Sequence, residues 1–182
     1  MTARPRGPGP LAVICVPAFG AAALAWLQGL RAKHDPKHFR LVAPHVTLVF
    51  PTAALAQAEF IAHVASCVRG VRGGAVEFSA AAAFRDQDTG MHLAYLLAGT
   101  GAELFRRLHE KLYSGLLAAE RRRDIPYDPH ITVGRFPSPV DAADLAKRIN
   151  AGRRTIAGRA AGLDIVAVGE NLVRTIHSQP LE

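Results

Sequence analysis

Two histidines in this chain stand in matching surroundings. His45 and Thr47 lie in Pro44-His45-Val46-Thr47-Leu48-Val49-Phe50-Pro51, and His130 and Thr132 lie in Pro129-His130-Ile131-Thr132-Val133-Gly134-Arg135-Phe136-Pro137. Each segment reads Pro-His-aliphatic-Thr-aliphatic and closes on Phe-Pro, among β-branched and aromatic residues that favour a strand. Side chains alternate along a strand, so each His shares a face with its Thr while the aliphatic residues take the other. Two such strands bordering one cleft would supply two imidazoles and two hydroxyls. An imidazole titrates near pH ~6.5, so one neutral and one protonated ring can serve as base and acid near neutrality. The hydroxyls can donate to the non-bridging oxygens of a phosphate. That set suits displacement at phosphorus, with water activated on one side and the leaving oxygen protonated on the other. Which His is acid and which is base is not written in the sequence. A lone strand histidine is ordinarily a packing or surface residue, but strand formation alone does not require the same His and Thr, two apart, in both halves.

The elements around the motifs repeat as well. Leu11 to Val16 reads as a strand, Ala21 to Lys33 as a helix, Val46 to Phe50 as the first motif strand and Ala54 to Val68 as a helix. Val76 to Arg85 and Met91 to Leu97 read as a hairpin around Asp86-Gln87-Asp88-Thr89-Gly90. A second round follows. Met91 to Leu97 opens it, Ala102 to Ala119 is a helix on the spacing of Leu104, Leu108, Leu112 and Leu116, and Ile131 to Phe136 is the second motif strand. Ala142 to Ile149 is the next helix, and Gly162 to Val168 pairs with Leu172 to His177. The expectation is an α+β protein of two pseudosymmetric lobes, with an internal repeat over about 11–97 and 91–178. Each lobe is a mainly antiparallel sheet with its motif strand central and helices on its outer face. The active-site cleft lies between the lobes. Residues 11–182 form this single bilobal domain, and residues 1–10, rich in Pro, Gly and Arg, are a disordered lead-in.

Bulk properties bound the reading. At 182 residues and 49% hydrophobic content the chain can bury a shared core. A net charge of +7 favours an anionic partner, nucleotide or RNA ahead of a membrane surface. Cys15 and Cys67 have no metal-ligand spacing and suit buried thiols in a reducing cytoplasm. Pro17 and Gly20 interrupt the apolar run from Leu11 to Leu30, which reads as strand, turn and helix rather than a signal peptide. Two histidines without clustered carboxylates make a poor metal site, so neither metal nor cofactor is expected.

Two His-x-Thr-aliphatic strands about half a chain apart in a small basic protein resemble the two-histidine phosphoesterase superfamily, which includes the 2′-5′ RNA ligase and cyclic nucleotide phosphodiesterase groups. The resemblance spans the chain after residue 10. Val133, where leucine is usual, and the Gly134-Arg135 pair place it in no one substrate group. It implies a metal-independent phosphoric diester hydrolase acting on RNA or nucleotides with a 2′,3′-cyclic phosphate end or a 2′-5′ linkage. His45 and His130 would be catalytic, Thr47 and Thr132 would bind the phosphate, and the protein would be a cytoplasmic monomer. An RNA-binding module without turnover, or a phosphodiesterase for a small non-RNA cyclic phosphoester, are the rivals.

Further candidates are secondary. Strict alternation points Arg135 away from His130 unless an end-of-strand bulge redirects it to the phosphate. Tyr127 either stacks on a base or covers the lobe. His92, His34, His38, His63, His109 and His177 read as structure or surface, as does Arg121-Arg122-Arg123 at a helix end.

Overall fold

The computed structural model describes residues 9–182. Most of the expected lead-in, residues 1–8, therefore lies outside the described residues; Pro10 already accepts a backbone hydrogen bond from Val168. In chain order the elements are β1 (Leu11–Cys15), β2 (Ala18–Phe19), α1 (Ala21–His34), α2 (Pro36–Leu41), β3 (Val46–Thr52) and α3 (Gln57–Val68). There follow β4 (Gly74–Arg85), β5 (His92–Ala98), α4 (Ala102–Leu112), a 3₁₀ segment (Gly115–Glu120), β6 (His130–Phe136), α5 (Pro139–Ala151), β7 (Ile156–Ala160), β8 (Gly162–Gly169) and β9 (Leu172–Pro180). The architecture is α+β, two antiparallel sheets with helices.

The sheets run β3-β1-β8-β9 and β2-β7-β4-β5-β6. Two corrections to the sequence reading follow. The motif strands β3 and β6 lie at the edges of their sheets rather than at the centres, and the two edges approach each other. An edge also tolerates the missing N–H of Pro51, which β3 includes. The second correction concerns connectivity. The hairpin of the first half, β4–β5, builds the sheet of the second motif, whereas β8–β9 completes the sheet of the first. The helices cross over too. α1 packs on β6 and α4 on β3, while α3 lies beside α4 and α5 backs β4, β5 and β6. The first sheet runs motif strand, opening strand, then hairpin, whereas in the second β5 is both the opening strand and half of the hairpin, and each sheet draws on both halves of the chain.

The helices bury alternate strand residues such as Val13, Cys15, Leu96, Ile131 and Val133 in one apolar core shared by both sheets. A smaller cluster, Ala12, Ile14 and Val166, lies apart from it. The expected long helix after Ala102 stops at Leu112, because Ser114 and Gly115, with φ 54°, break it into the 3₁₀ segment. The buried stripe is therefore Phe105, Leu108, His109 and Leu112, and Leu116 is exposed. Strand β7 escaped the sequence reading since Gly158 interrupts its alternation. A Cβ there would sit 2.7 Å from the Phe19 ring, so the glycine admits the close pairing of β2.

Candidate active site

His45 immediately precedes β3 and His130 opens β6. The two rings are held alike. His45 Nδ1 lies 2.8 Å from the Ala43 carbonyl oxygen, and His130 Nδ1 lies 2.6 Å from that of Asp128. A carbonyl only accepts, so each Nδ1 carries a proton and each neutral ring presents an unprotonated Nε2. Burial pushes His45 down to about 4, assisted by the charges of Arg31, His130 and Arg135 and opposed by the Ala43 bond. His130 is likewise pushed down to about 4 by burial, with Arg135 adding to the effect and Asp128 opposing it. The charge of His130 is felt at His45, and that of Arg135 at both rings.

The motif strands share a device that alternation alone hides. In β6, Thr132 pairs with Tyr95 and Gly134 with Ala94, so Val133 is an extra, bulged residue. In β3, Thr47 pairs with Ile14 and Val49 with Val13, so Leu48 is its counterpart. Each bulge flips the strand after the threonine. Arg135, paired with Leu93, thereby joins the His130 and Thr132 face. Its counterpart in β3 is Phe50, which is 45% exposed.

Asp35, at the C-terminal end of α1, holds Arg135 in place. Its buried carboxylate accepts from Arg135 Nε at 3.2 Å and from His38 Nδ1 at 2.7 Å. Those partners keep Asp35 below the ordinary carboxylate range despite the burial that opposes them. Fixing Nε leaves the outer edge of the guanidinium for other acceptors. Arg31, buried one helical turn earlier, donates to the His38 carbonyl and adds positive charge near His45. Its Nε has no hydrogen-bond partner.

Tyr127 packs between the elements, the covering role that its sequence position left open beside base stacking. Its hydroxyl donates to the Thr47 carbonyl at 2.9 Å and its ring stacks flat on His109, with centroids 3.7 Å apart. His109 Nδ1 in turn donates to the Leu48 carbonyl at 2.9 Å, and Phe50 N–H donates to the Tyr113 hydroxyl. Three aromatic side chains from the second half thus satisfy the backbone groups that the bulged edge strand leaves unpaired. Tyr127 joins the lobes instead of offering a free face to a base. Tyr127→Phe is expected to cost about 1 kcal/mol, a fall of a few degrees in Tm, with kcat/KM within about threefold of wild type. Calorimetry with steady-state kinetics checks this; lost turnover at unchanged Tm would return Tyr127 to the substrate.

Tyr95 is the residue that the sequence reading missed. From β5 it stacks on His130, with ring centroids 3.6 Å apart and 15° between planes, and Phe84 stacks on its other side at 5.0 Å. The pairing of Tyr95 with Thr132 corresponds to that of Ile14 with Thr47, so only the aligned repeat could have singled it out. Arg31 and Asp35 gave no sequence signal, since α1 reads as an ordinary helix. Among the described residues no group of three or more His, Cys, Asp or Glu is placed to hold a metal ion, and no helix is long and apolar enough to cross a membrane.

Comparison with known proteins gives a family and a fold. A family model described as the 2′-5′ RNA ligase superfamily matches residues 19–171. A comparison with curated protein sequences gives no match. Among solved structures, the Thermus thermophilus protein TT0787 is similar with a TM-score of 0.63 and 20% identity, over 94% of this chain and 97% of that one. Escherichia coli LigT complexed with 3′-AMP is similar with a TM-score of 0.52 and 19% identity, over 96% of each chain. Kluyveromyces marxianus Usb1 with uridine monophosphate is similar with a TM-score of 0.56 and 12% identity, over 94% of this chain and 99% of that one. At these identities the likeness to the solved structures is one of fold.

Proposed function

The chain belongs to the 2′-5′ RNA ligase superfamily of phosphoesterases, and on that premise we propose that it hydrolyses 2′,3′-cyclic phosphate ends of nucleotides or RNA by two-histidine acid–base catalysis. The observation that carries the reading is the matched tethering of the imidazoles. With both Nδ1 protons spent on backbone carbonyls, both Nε2 atoms are left for substrate. One Nε2 takes a proton from water as its oxygen bonds to phosphorus. The other, protonated, gives its proton to the ribose oxygen as the phosphorus–oxygen bond breaks. Thr47, Thr132 and Arg135 bear on the non-bridging oxygens, whose charge grows in the transition state. Phe50 offers an apolar face to the base. That LigT binds 3′-AMP and Usb1 uridine monophosphate supports a nucleotide ligand.

The test is turnover of 2′,3′-cyclic mononucleotides and of a short RNA with a cyclic end, in EDTA, across pH. Turnover is expected to persist without free metal. The pH profile follows from the depressed histidines. Catalysis needs one ring protonated, and both lose their protons at about 4 in the free protein. Raising pH therefore removes the acid, and kcat/KM is expected to fall from about pH 5 to pH 8. Bound phosphate lends negative charge and raises the histidines again, so the descending limb of kcat lies at higher pH. A kcat/KM flat across that range, or no turnover of any member of the panel, overturns the reading.

A further inference from the structure

The two histidines are tethered alike, yet their surroundings differ. Thr47 of β3 pairs with Ile14, and at the matching place on the other sheet Thr132 of β6 pairs with Tyr95. An aliphatic side chain in one motif thus answers to an aromatic ring in the other. The Tyr95 ring lies almost parallel to that of His130, with 15° between planes and 3.6 Å between centroids. Phe84 covers its other face. With both faces occupied, Tyr95 is no platform for a base. Among the described residues no aromatic ring stacks on His45.

The face of an aromatic ring carries partial negative charge, so it attracts a cation within about 6 Å of its centroid more than a neutral group. Stacked at this distance, Tyr95 favours the imidazolium of His130 over the neutral ring. Its own hydroxyl stays neutral, pushed up to about 12 by burial, with Arg135 opposing and Asp86 assisting. The charged groups lean the same way. Arg31, His130 and Arg135 all oppose a proton on His45, whereas His130 has the carboxylate of Asp128 in its favour and Arg135 against it. Asp128 is itself shared with Arg106 of α4, 3.9 Å away. Burial lowers both rings and does not choose between them.

We propose that Tyr95 is a positioning residue that holds the shared proton on His130, making His130 the acid and His45 the base. The inference rests on the phosphoesterase reading for its reaction. With a cyclic phosphate bound, His45 Nε2 takes a proton from water as the water oxygen bonds to phosphorus. His130 Nε2 gives its proton to the ribose oxygen as the phosphorus–oxygen bond breaks. The product is a phosphate monoester beside a free hydroxyl, and exchange with solvent then takes the proton from His45 and returns one to His130.

The test is Tyr95→Ile, which gives His130 the kind of neighbour that Thr47 has and keeps a residue suited to a strand. Tyr95→Phe, which keeps the ring, is its control. Histidine titrations are followed by NMR, free and with inorganic phosphate, with His45→Ala and His130→Ala assigning the signals. In wild type His130 is expected to titrate above His45. Tyr95→Ile should lower His130 by about 0.5–1.5 pH units, and Tyr95→Phe by less than about 0.3. The descending limb of kcat on a cyclic mononucleotide should move down with it. Near neutrality kcat then falls about 3–30-fold in Tyr95→Ile and stays within about twofold in Tyr95→Phe. His45 titrating at or above His130 in wild type overturns the proposal. So does a Tyr95→Ile variant with a lower Tm but an unmoved His130 titration and pH limb, which marks a packing role alone. The wild-type order needs no variant, so it decides the matter even where Tyr95→Ile fails to fold. If wild type turns over no cyclic phosphate, the phosphoesterase reading falls, and the titrations still decide Tyr95.

Discussion

His45→Ala is expected to lower kcat/KM on a 2′,3′-cyclic nucleotide by about 10²–10⁴-fold, and His130→Ala by the same order. Each removes one of the two proton transfers. The remaining imidazole cannot serve both sides of an in-line displacement, because the attacking and leaving oxygens lie on opposite sides of phosphorus. The double variant should lose far less than the product of the single losses, since groups that act in one step are not additive. Neither substitution removes a core contact. His45 gives up one hydrogen bond, to the carbonyl two residues before it, so its Tm should move little, whereas His130 also gives up its stack on Tyr95 and should lose somewhat more. Single-turnover kinetics beside thermal melts check this. A loss confined to one histidine would leave a one-sided mechanism and sink the paired reading.

Thr47→Val and Thr132→Val are expected to lower kcat by about 10²–10³-fold each, with a smaller rise in KM. Valine keeps the β-branched shape that the bulged strands accept and removes only the hydroxyl. A donor aimed at oxygens that gain charge in the transition state is felt mainly in kcat, whereas one that binds ground state and transition state alike is felt in KM. Steady-state kinetics on a cyclic mononucleotide separates the two. A change in KM alone would assign the threonines to binding, and no change in either would return their hydroxyls to the strands.

Much of this site was legible because strand chemistry is local. The residue types of β3 and β6, their His-x-Thr spacing and the hairpin turn between Arg85 and His92 all express short-range preferences. What stayed hidden depends on partners distant in the chain. The edge position of the motif strands is a property of sheet order, and nothing in Val46 to Thr52 states whether one neighbour or two will pair with it. The exchange of hairpins was hidden for the same reason: β4–β5 and β8–β9 are equally good hairpins, and only the assembled core selects a sheet for each. Arg135 shows the limit in one residue. Counting by twos faces it away from His130, and the bulge at Val133, fixed by pairing to β5, turns it back. Tyr127 shows the converse, an aromatic beside the second histidine motif whose task is set by a histidine on another element.

The exchange of hairpins also has a consequence for biogenesis. Strand β1 is made well before its neighbour β8, with Leu11 paired to Ala167 and Ile14 to Asp164. On a ribosome the first histidine motif therefore emerges long before its sheet can close. The nascent chain must carry β1 and β3 as an exposed, half-paired ribbon until β8 arrives. Such a chain gains its cleft late and all at once, and a lesion in β8 or β9 would deprive His45 of its footing as surely as one beside it.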